Sequence, residues 1–269
     1  LTSVADKKEK TLTFKRTAVI NPVTGKITFK NDWTPANQTF EEVTSPTIDN
    51  AIVDRATVPS TDVTATADDI NELVVYKKLG SYVPVVPEGV TVPPGTDTTA
   101  KVYPKNPNDP TKPGTPTTVI PEIPGTTPVG PDGTPLTKNP NGGYDLPPVP
   151  TDPTQNTTIT YVKDGSQVAV VHFVDEKGNS VNESVIETGD TGGTISTTKA
   201  DAVKTALEAK GYEVVAPTDA LYTTDKEGFY KEATRTFDAV SDKSTGAAGE
   251  KVPSQQYYVI VKAKDLPVD

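Results

Sequence analysis

The sequence predicts an α+β fold that is mostly β, with two small modules joined by an extended, proline-rich spacer and an elongated overall shape. Three observations support this prediction. Short runs of alternating apolar and polar residues, typical of half-buried strands, lie toward both ends of the chain. Of the 26 prolines, 19 fall between Pro84 and Pro153. One stretch, from Thr198 to Gly211, carries both the start and the stop signals of a helix.

Composition limits what the chain can do. Only 33% of the 269 residues are hydrophobic, so any core is small. The net charge of -10 argues against nucleic-acid binding, which needs a basic surface. Without cysteine there is no disulfide and no thiolate metal site, and no apolar run is long enough to span a membrane. The chain starts at Leu1 rather than Met, which indicates a piece of a longer protein whose signal and anchor lie elsewhere.

Residues 1–86 are predicted to form a β-rich first module. The run "KTLTFKRTAVI" alternates, turn residues follow from Asn21 to Lys26, and "ITF" comes next, which predicts a hairpin. The runs "QTFEEV" and "NELVVYKK" are two further strand candidates. Trp33, the only tryptophan, is expected to fill the core; the alternative is a platform on which a glycan stacks. Lysines near an unpaired first strand would discourage edge-to-edge pairing, so we expect a monomer.

Residues 87–155 are predicted to be the proline-rich spacer. Proline lacks a backbone donor, so we expect polyproline II or irregular extended chain here rather than a helix or a central strand. A disordered linker is one interpretation, and a semi-rigid, partly docked spacer is the other. The second is favoured by four apolar side chains that offer anchors to a neighbouring module, namely Val119, Ile120, Ile123 and Tyr144.

Residues 156–269 are predicted to form a second, α+β module. The run "TTITYVKDGSQVAVVHFVDEKGNSV" reads as strand, Asp164-Gly165 turn, strand and turn. A short helix follows, with Thr198 as its N-cap and Gly211 just past its end. The strands "GYEVV" and "QQYYVIVKAK" come last. This order predicts one helix packed on a small mixed sheet.

The stretch "VVHFVDEKGNSV" holds the only histidine and two acidic residues, and it raises the question of an ion site. Alternation along a strand puts His172 on the face opposite Val171 and Phe173. A surface strand that runs into a turn is the preferred interpretation, and the alternative is a Ca²⁺ site. Its candidate ligands are Asp175, Glu176 and Asn179. No P-loop, dinucleotide fingerprint or G-x-S-x-G stretch is present, so no catalytic residue is assigned and no cofactor is expected.

Residues 168–263 resemble the mucin-binding (MucBP-type) module of lactobacillal surface adhesins. The matching stretches are "VVHFVDEKGNSV", "TGDTGGTI", "AVKTALEAKGYEVV" and "YYVIVKAK". Residues 10–86 resemble the companion (B2-like) module of the same mucus-binding repeats, on "TLTFKRTAVINPVTGKITF", "DWTPANQTFEEVTSPTI" and "VVYKKLGSYVP". The companion module usually has a Gly-Tyr pair after "SPTI", where this chain has Asn50 and Ala51, so an aromatic anchor is missing.

The resemblance implies β-grasp, ubiquitin-like modules in an extracellular protein that is attached to a bacterial cell wall. It implies host mucin glycoproteins as partners and, for some members, immunoglobulins. Two functions stay open at this point: an adhesin repeat, monomeric within a tandem array, that binds mucin by many weak contacts, and a structural stalk that projects a distant binding head. A glycoside-active enzyme is disfavoured by the absence of a catalytic constellation.

Overall fold

The computed structural model describes residues 2–216, 227–231, 234–237 and 254–264. These residues are mostly β with one α-helix, as the sequence predicts. The chain divides into two compact units, one of residues 1–79 and 104–114 and the other of residues 80–103 and 115–269. Within the described residues, no helix is long and apolar enough to cross a membrane.

The first unit is built from short antiparallel ribbons. Its strands are β1 (Ala18–Ile20), β2 (Ile27–Phe29), β3 (Gln38–Phe40), β4 (Val43–Thr44), β5 (Ala51–Val53), β6 (Thr57–Val58), β7 (Thr61–Val63) and β8 (Tyr76–Lys78). β1 pairs with β2, β3 with β7, β4 with β6 and β5 with β8. The buried hydrophobic side chains in the described part of this unit are Ile52, Val53, Val63 and Leu79. The unit therefore has the small core that the composition predicts.

The predicted hairpin is present as β1 and β2, which pair over three residues each. Asn21 organises the turn between them, because its Oδ1 accepts hydrogen bonds from the N–H of Val23 at 2.9 Å and of Thr24 at 3.1 Å. The alternating run starts at Lys10, but regular strand pairing begins only at Ala18. The hairpin is thus shorter than the sequence pattern.

Asn50 shows how the chain accommodates its departure from the family pattern after "SPTI". Its φ is +54°, and among the described non-glycine residues it alone has a positive φ. Asparagine adopts this left-handed conformation more readily than other residues with a side chain, because its short amide can bond locally. The Asn50 carbonyl accepts a hydrogen bond from the N–H of Leu79 at 2.8 Å. An asparagine can therefore stand where the family usually has glycine.

The second unit holds two larger sheets and a small ribbon. Its elements are β9 (Ser81–Val85), β10 (Lys101–Val102), β11 (Val119–Ile120), β12 (Thr126–Val129), β13 (Tyr144–Asp145), β14 (Thr157–Lys163), β15 (Gln167–Asp175), β16 (Ser180–Gly189), α1 (Thr198–Ala209), β17 (Tyr212–Val214), β18 (Glu227–Gly228), a 3-10 turn (Phe229–Lys231) and β19 (Ser254–Ala263). One sheet has the order β10-β9-β14-β12, and the other has β16-β15-β19-β17 with β18 also beside β19. β11 and β13 form the ribbon.

Two prolines of the second unit lie within strands, and one of them lacks a backbone partner on one side. Pro84 lies in β9 opposite Ile159 of β14, whereas β10 pairs only with the first two residues of β9. Pro128 lies in β12 opposite Tyr161 of β14, and its carbonyl also accepts a hydrogen bond from the N–H of Leu136 at 2.9 Å, next to the bridge between Val129 and Pro135. Because proline has no N–H to donate, a half-open position such as that of Pro84 is one that a strand tolerates. Within the predicted spacer, residues 87–155, Pro128 lies in β12, which is the last strand in the order of its sheet.

Buried tyrosines bind carbonyl groups of the proline-rich segment. Tyr82 is 1% exposed, and its hydroxyl donates a hydrogen bond of 2.6 Å to the carbonyl of Pro147. Tyr161 is 0% exposed and donates in the same way to the carbonyl of Pro121 at 2.7 Å. A proline cannot donate, but its carbonyl is an ordinary acceptor. The two bonds attach this segment to the second unit and satisfy two buried hydroxyls.

Three of the four proposed anchors lie in a hydrophobic cluster of the second unit. The cluster consists of Ile120, Ile123, Tyr144, Ile159 and Tyr161. Ile120 and Ile123 have no exposed surface, whereas Val119, the fourth proposed anchor, is 38% exposed. Neighbouring residues of a strand point to opposite sides, so burial of Ile120 turns Val119 outward. Val119 is not an anchor.

β15 lies inside the larger sheet and is covered on both faces. It is antiparallel to β16 and parallel to β19. On one face Val171 and Phe173 pack in a cluster with Leu207 of α1. On the other face Val168 and Val170 pack in a second cluster that also contains residues of β12, β14 and β16. This double burial explains the nearly continuous apolar run "VAVVHFV".

The strands of this unit differ from the predicted single small sheet in two ways. β16 was not predicted, because its run "SVNESVIETG" is rich in polar residues. β14 and β15 follow each other across the Asp164-Gly165 turn, but they belong to different sheets. Sequence alternation identifies a strand face without identifying the strand that lies beside it.

The helix ends close to where the sequence predicts. α1 begins at Thr198, so the N-cap is Thr197 and not Thr198. The Thr197 hydroxyl donates to Oδ2 of Asp201 at 2.7 Å and makes no bond to a backbone N–H. Gly211 has a φ of +89°, the left-handed conformation that commonly follows a helix C-terminus. The predicted stop signal is confirmed.

The burial of Ile123 gives a test of whether the proline-rich segment is part of a core. Replacing Ile123 by Ala removes side-chain volume from a fully enclosed site, which costs about 2–5 kcal/mol of unfolding free energy. Val119→Ala, at an exposed position nearby, is the matched control and should change it by less than about 0.5 kcal/mol. Urea denaturation of the two variants measures both values. Equal, small effects would contradict the packing of this segment.

Candidate glycan-binding surface

Two aromatic rings and one guanidinium group come together on the first unit. The Cζ atom of Arg16 lies 3.2 Å from the centroid of the Phe29 ring and 4.4 Å from that of Trp33. A guanidinium group at this distance is attracted to the negative face of an aromatic ring. We call these three residues the Arg16 cluster.

The hairpin and the chain that follows it bring the cluster together. Phe29 lies opposite Ala18 in the ribbon, and Arg16 precedes Ala18 by two residues, so both side chains share one face. Lys15 and Thr34 exchange two backbone hydrogen bonds, of 3.0 Å and 2.7 Å. These bonds return the chain to the hairpin and place the tryptophan before Thr34 beside Arg16. The cluster therefore joins residues that are distant in sequence.

The face that carries the Arg16 cluster is open to solvent. Phe29 is 50% exposed, and Ile20 and Ile27 on the same face are 61% and 57% exposed. Trp33 is half-buried rather than enclosed, so it does not fill the core as expected, and the alternative that a glycan stacks on its ring stays a prediction. Exposed apolar side chains that adjoin one another mark interaction surfaces more often than isolated ones do. Aromatic rings of this kind suit the apolar face of a sugar ring.

A shallow polar groove on the second unit is a second candidate surface that sequence reasoning missed. Its volume is about 520 Å³, and it is lined by Lys101, Thr117, Thr118, Val119, Asn139, Asn141 and Gly142. No aromatic side chain lines it. Asn139 is already engaged, since its amide donates to Asp145 at 2.6 Å and its Oδ1 accepts from a backbone N–H. The groove offers hydrogen bonds but no stacking surface, so we assign the candidate site to the Arg16 cluster.

His172 takes part in a hydrogen-bonded row across three strands. Its Nδ1 lies 2.7 Å from Oγ of Ser184 on β16, and its Nε2 lies 2.5 Å from Oε1 of Gln256 on β19. The ring also packs against Tyr258, with centroids 4.8 Å apart. An amide oxygen accepts, so Nε2 donates in this contact, whereas the serine hydroxyl at Nδ1 can serve as donor or acceptor. This row satisfies a half-buried histidine by joining β16, β15 and β19.

The candidate Ca²⁺ ligands lie in a turn that uses their polar atoms internally. Oδ1 of Asp175 accepts hydrogen bonds from the N–H of Lys177 and of Asn179, both at 2.8 Å. Oδ2 of Asp175 accepts from the Asn179 amide at 2.9 Å. The Asn179 amide and backbone, together with the Lys177 N–H, hold the pKa of Asp175 below its usual range. Glu176 is exposed.

No three His, Cys, Asp or Glu side chains converge on one point in the part of the chain that the structure describes. The structure thus gives Asp175 a local role, which is to accept the donors of the turn after β15. Whether these residues hold Ca²⁺ stays a prediction, and it is put to a test below.

Glu187 is a buried carboxyl group on β16. It is 7% exposed, and its Oε1 has no hydrogen-bond partner among the residues that the structure describes. Its Oε2 lies 3.5 Å from Nζ of Lys199, which also donates to the carbonyl of Ile186 at 2.6 Å. Burial disfavours the charged form and raises the pKa of Glu187, although Lys199 opposes the shift. The ionised group is therefore a cost to the second unit at neutral pH.

Both modules match known families. Residues 2–80 match the family model of the Muc B2-like domain, and residues 167–247 match that of a mucin binding domain. The chain carries two domains of mucus-binding repeats. The resemblance seen in the sequence is thus confirmed for both modules. No curated protein matches the chain. The Arg16 cluster lies in the Muc B2-like domain. The hydrogen-bonded row through His172 and the turn at Asp175 lie in the mucin binding domain.

We expect the thermal stability of the chain to be the same in millimolar Ca²⁺ and in EDTA, because the oxygens of Asp175 are occupied by turn donors. Asp175→Ala should lower the melting temperature by a few degrees in both solutions, since three hydrogen bonds are lost. Calorimetry of the wild type and the variant checks this. Stabilisation of the wild type by Ca²⁺ that disappears in the variant would establish an ion site instead.

Glu187→Gln should raise the unfolding free energy at neutral pH by about 1 kcal/mol, because it removes an incompletely paired buried charge. The raised folded-state pKa of Glu187 means that its favourable contribution is complete below the unfolded value of about 4.3 and is lost as pH rises through the folded value. The gain in the variant should therefore shrink toward zero as pH falls below about 4.

Urea denaturation across this pH range measures the effect of Glu187→Gln. Glu176→Gln, at an exposed position, is the control and should change little at any pH. If the increase in unfolding free energy caused by Glu187→Gln became larger as the pH falls, burial of an ionised Glu187 would not be its cause.

Proposed function

We propose that the chain is a non-enzymatic repeat of a bacterial surface adhesin and that it binds host mucin glycans through many weak contacts. The observation that carries the proposal is the presence of a Muc B2-like domain and a mucin binding domain in one chain. The Arg16 cluster is the contact surface we assign, with Trp33 as its principal stacking ring. Its accessible rings support this assignment.

The weakness of a single contact follows from the size of the surface. The cluster offers two partly accessible rings and one guanidinium group, without an enclosing pocket. A few contacts of this kind give low affinity for one sugar. Linked copies convert later binding events into intramolecular ones, so an array gains affinity without new contacts. A mucin chain with many glycans is the ligand that such an array suits.

The β-grasp fold is part of the proposal, with unequal support for the two modules. In the second module a hairpin of β15 and β16, a helix, and a last strand parallel to β15 give the order β16-β15-β19-β17, which supports a ubiquitin-like fold. The described residues of the first module, 2–79, contain no helix, so the β-grasp proposal there rests on the family resemblance.

The remaining proposals concern context. We place the chain in an extracellular, wall-attached protein, as a monomer within a tandem array, with mucin glycoproteins as the partner and immunoglobulins as a further partner class. Mucin binding domains support this context. The alternative is a structural stalk, whose repeats bind nothing and project a distant head. The two differ in whether an isolated array binds mucin.

Surface binding of one copy and of four linked copies to immobilised mucin separates these functions. We expect weak binding by one copy, far stronger binding by four, and loss of both after the mucin is deglycosylated. Trp33→Ala in every copy should weaken the four-copy array at least about tenfold, which corresponds to about 1.4 kcal/mol.

Leu73→Ala is the matched control for Trp33→Ala. Leu73 is a 60% exposed apolar residue of the same unit that is not part of the cluster, so its loss should leave binding unchanged. Four copies that bind mucin no better than one would support the stalk. Strong mucin binding that survives Trp33→Ala would support the adhesin function but would show that the binding site is not the Arg16 cluster.

A further inference from the structure

Basic and acidic residues are segregated along this chain. Residues 10–31 hold five of the 26 basic side chains and none of the 36 acidic ones. We call residues 10–31 the basic segment; its formal charge is +5, whereas the other 247 residues carry 21 basic and 36 acidic side chains, a charge of -15. The five cations are Lys10, Lys15, Arg16, Lys26 and Lys30. The basic segment includes the β1–β2 hairpin and the guanidinium of the Arg16 cluster.

The cations of the basic segment are exposed and form no ion pair within the part of the chain that the structure describes. All five are exposed, and none of them forms an ion pair with a described residue. Elsewhere in the same unit, Arg55 pairs with Glu72 at 2.9 Å and Lys105 with Asp49 at 3.6 Å. No described carboxylate pairs with these cations, so they can act on a ligand.

Arg16 links this potential to the aromatic rings. Its guanidinium lies over Phe29 and Trp33, and it donates no hydrogen bond to a described residue. A guanidinium group that packs on rings by its flat face keeps its N–H donors at the edge, where their fork matches two oxygens of a carboxylate or sulfate. One side chain can thus orient an acidic group while the rings contact the sugar.

We propose that the basic segment makes the Arg16 cluster selective for saccharides that carry a carboxylate or sulfate group. This inference rests on the proposed function, in which the same cluster is the glycan contact. A neutral sugar can stack on the rings but gains nothing from the cations. An anionic sugar gains attraction to several exposed cations and a charge-assisted hydrogen bond to Arg16. The charge of -15 on the remaining residues disfavours the same ligand elsewhere on the chain.

Three ligands on one scaffold test the inference: lactose, sialylated lactose and sulfated lactose. The proteins are the full chain and its triple variant Lys15→Gln, Lys26→Gln and Lys30→Gln, which keeps Arg16 and both rings. We expect the wild type to bind at least one of the two anionic sugars about fivefold or more tightly than lactose at low ionic strength. The triple variant should retain lactose binding and lose most of that preference. NMR titration measures these weak affinities.

Salt and a matched variant separate local from general charge effects. The anionic preference should fall steeply as added salt shortens the Debye length from about 10 Å toward 3 Å. The control Lys177→Gln, Lys210→Gln and Lys264→Gln removes the same charge from exposed positions of the second unit and should keep the preference. Tighter binding of only the sulfated or only the sialylated lactose would identify which anion fits the N–H donors at the edge of the Arg16 guanidinium.

The inference and the proposed function can fail separately. Equal binding of all three sugars by the wild type overturns the charge preference, and mucin binding that depends on Trp33 would then still support the adhesin. Equal loss of the preference in both triple variants also overturns it, since net charge rather than the basic segment would be responsible. A four-copy array that does not bind mucin overturns the proposed function, and this inference with it.

Discussion

Strand β15 needs cover on both faces, and much of the second unit is arranged to provide it. Val171 and Phe173 lie against the helix side, and Val168 and Val170 lie against β12 and β14. Burial of apolar surface is the main favourable term in folding, and this strand buries both of its surfaces. β12 belongs to the proline-rich segment. One face of β15 is therefore covered in part by the proline-rich segment, although the composition of that segment is typical of a linker.

The proline-rich segment packs against the second unit with its carbonyl groups as hydrogen-bond acceptors. Proline removes donors from a chain but leaves every carbonyl, so a packed proline segment needs donors from elsewhere. Tyr82 and Tyr161 supply two of them from buried positions. Pro84 lies where β9 has no partner strand on one side, so its missing N–H group breaks no pairing there. Composition that opposes regular sheet formation is thus compatible with a sheet in which a proline occupies a half-open position.

The candidate site and the larger cores occupy different parts of the chain. The first unit has few buried side chains, and its β1–β2 hairpin exposes apolar residues on the face that carries the Arg16 cluster. A surface loop or ribbon that contributes little to a core is free to vary for binding. The polar row through His172 and the turn at Asp175 have local partners instead, and they stabilise the sheet that carries them.

The sequence by itself determined the features that depend on neighbours along the chain. Asn21 specifies the hairpin turn because its side chain accepts hydrogen bonds from backbone N–H groups two and three residues ahead. Gly211 specifies the helix end because it adopts a positive φ. Trp33 could be singled out as a candidate ring. The tertiary structure alone decided that this ring is half-buried, that Arg16 lies against it, and that β14 and β15 enter different sheets. Local patterns report which face of a strand is apolar, but the segment that covers that face comes from distant parts of the chain, whose packing no local pattern encodes.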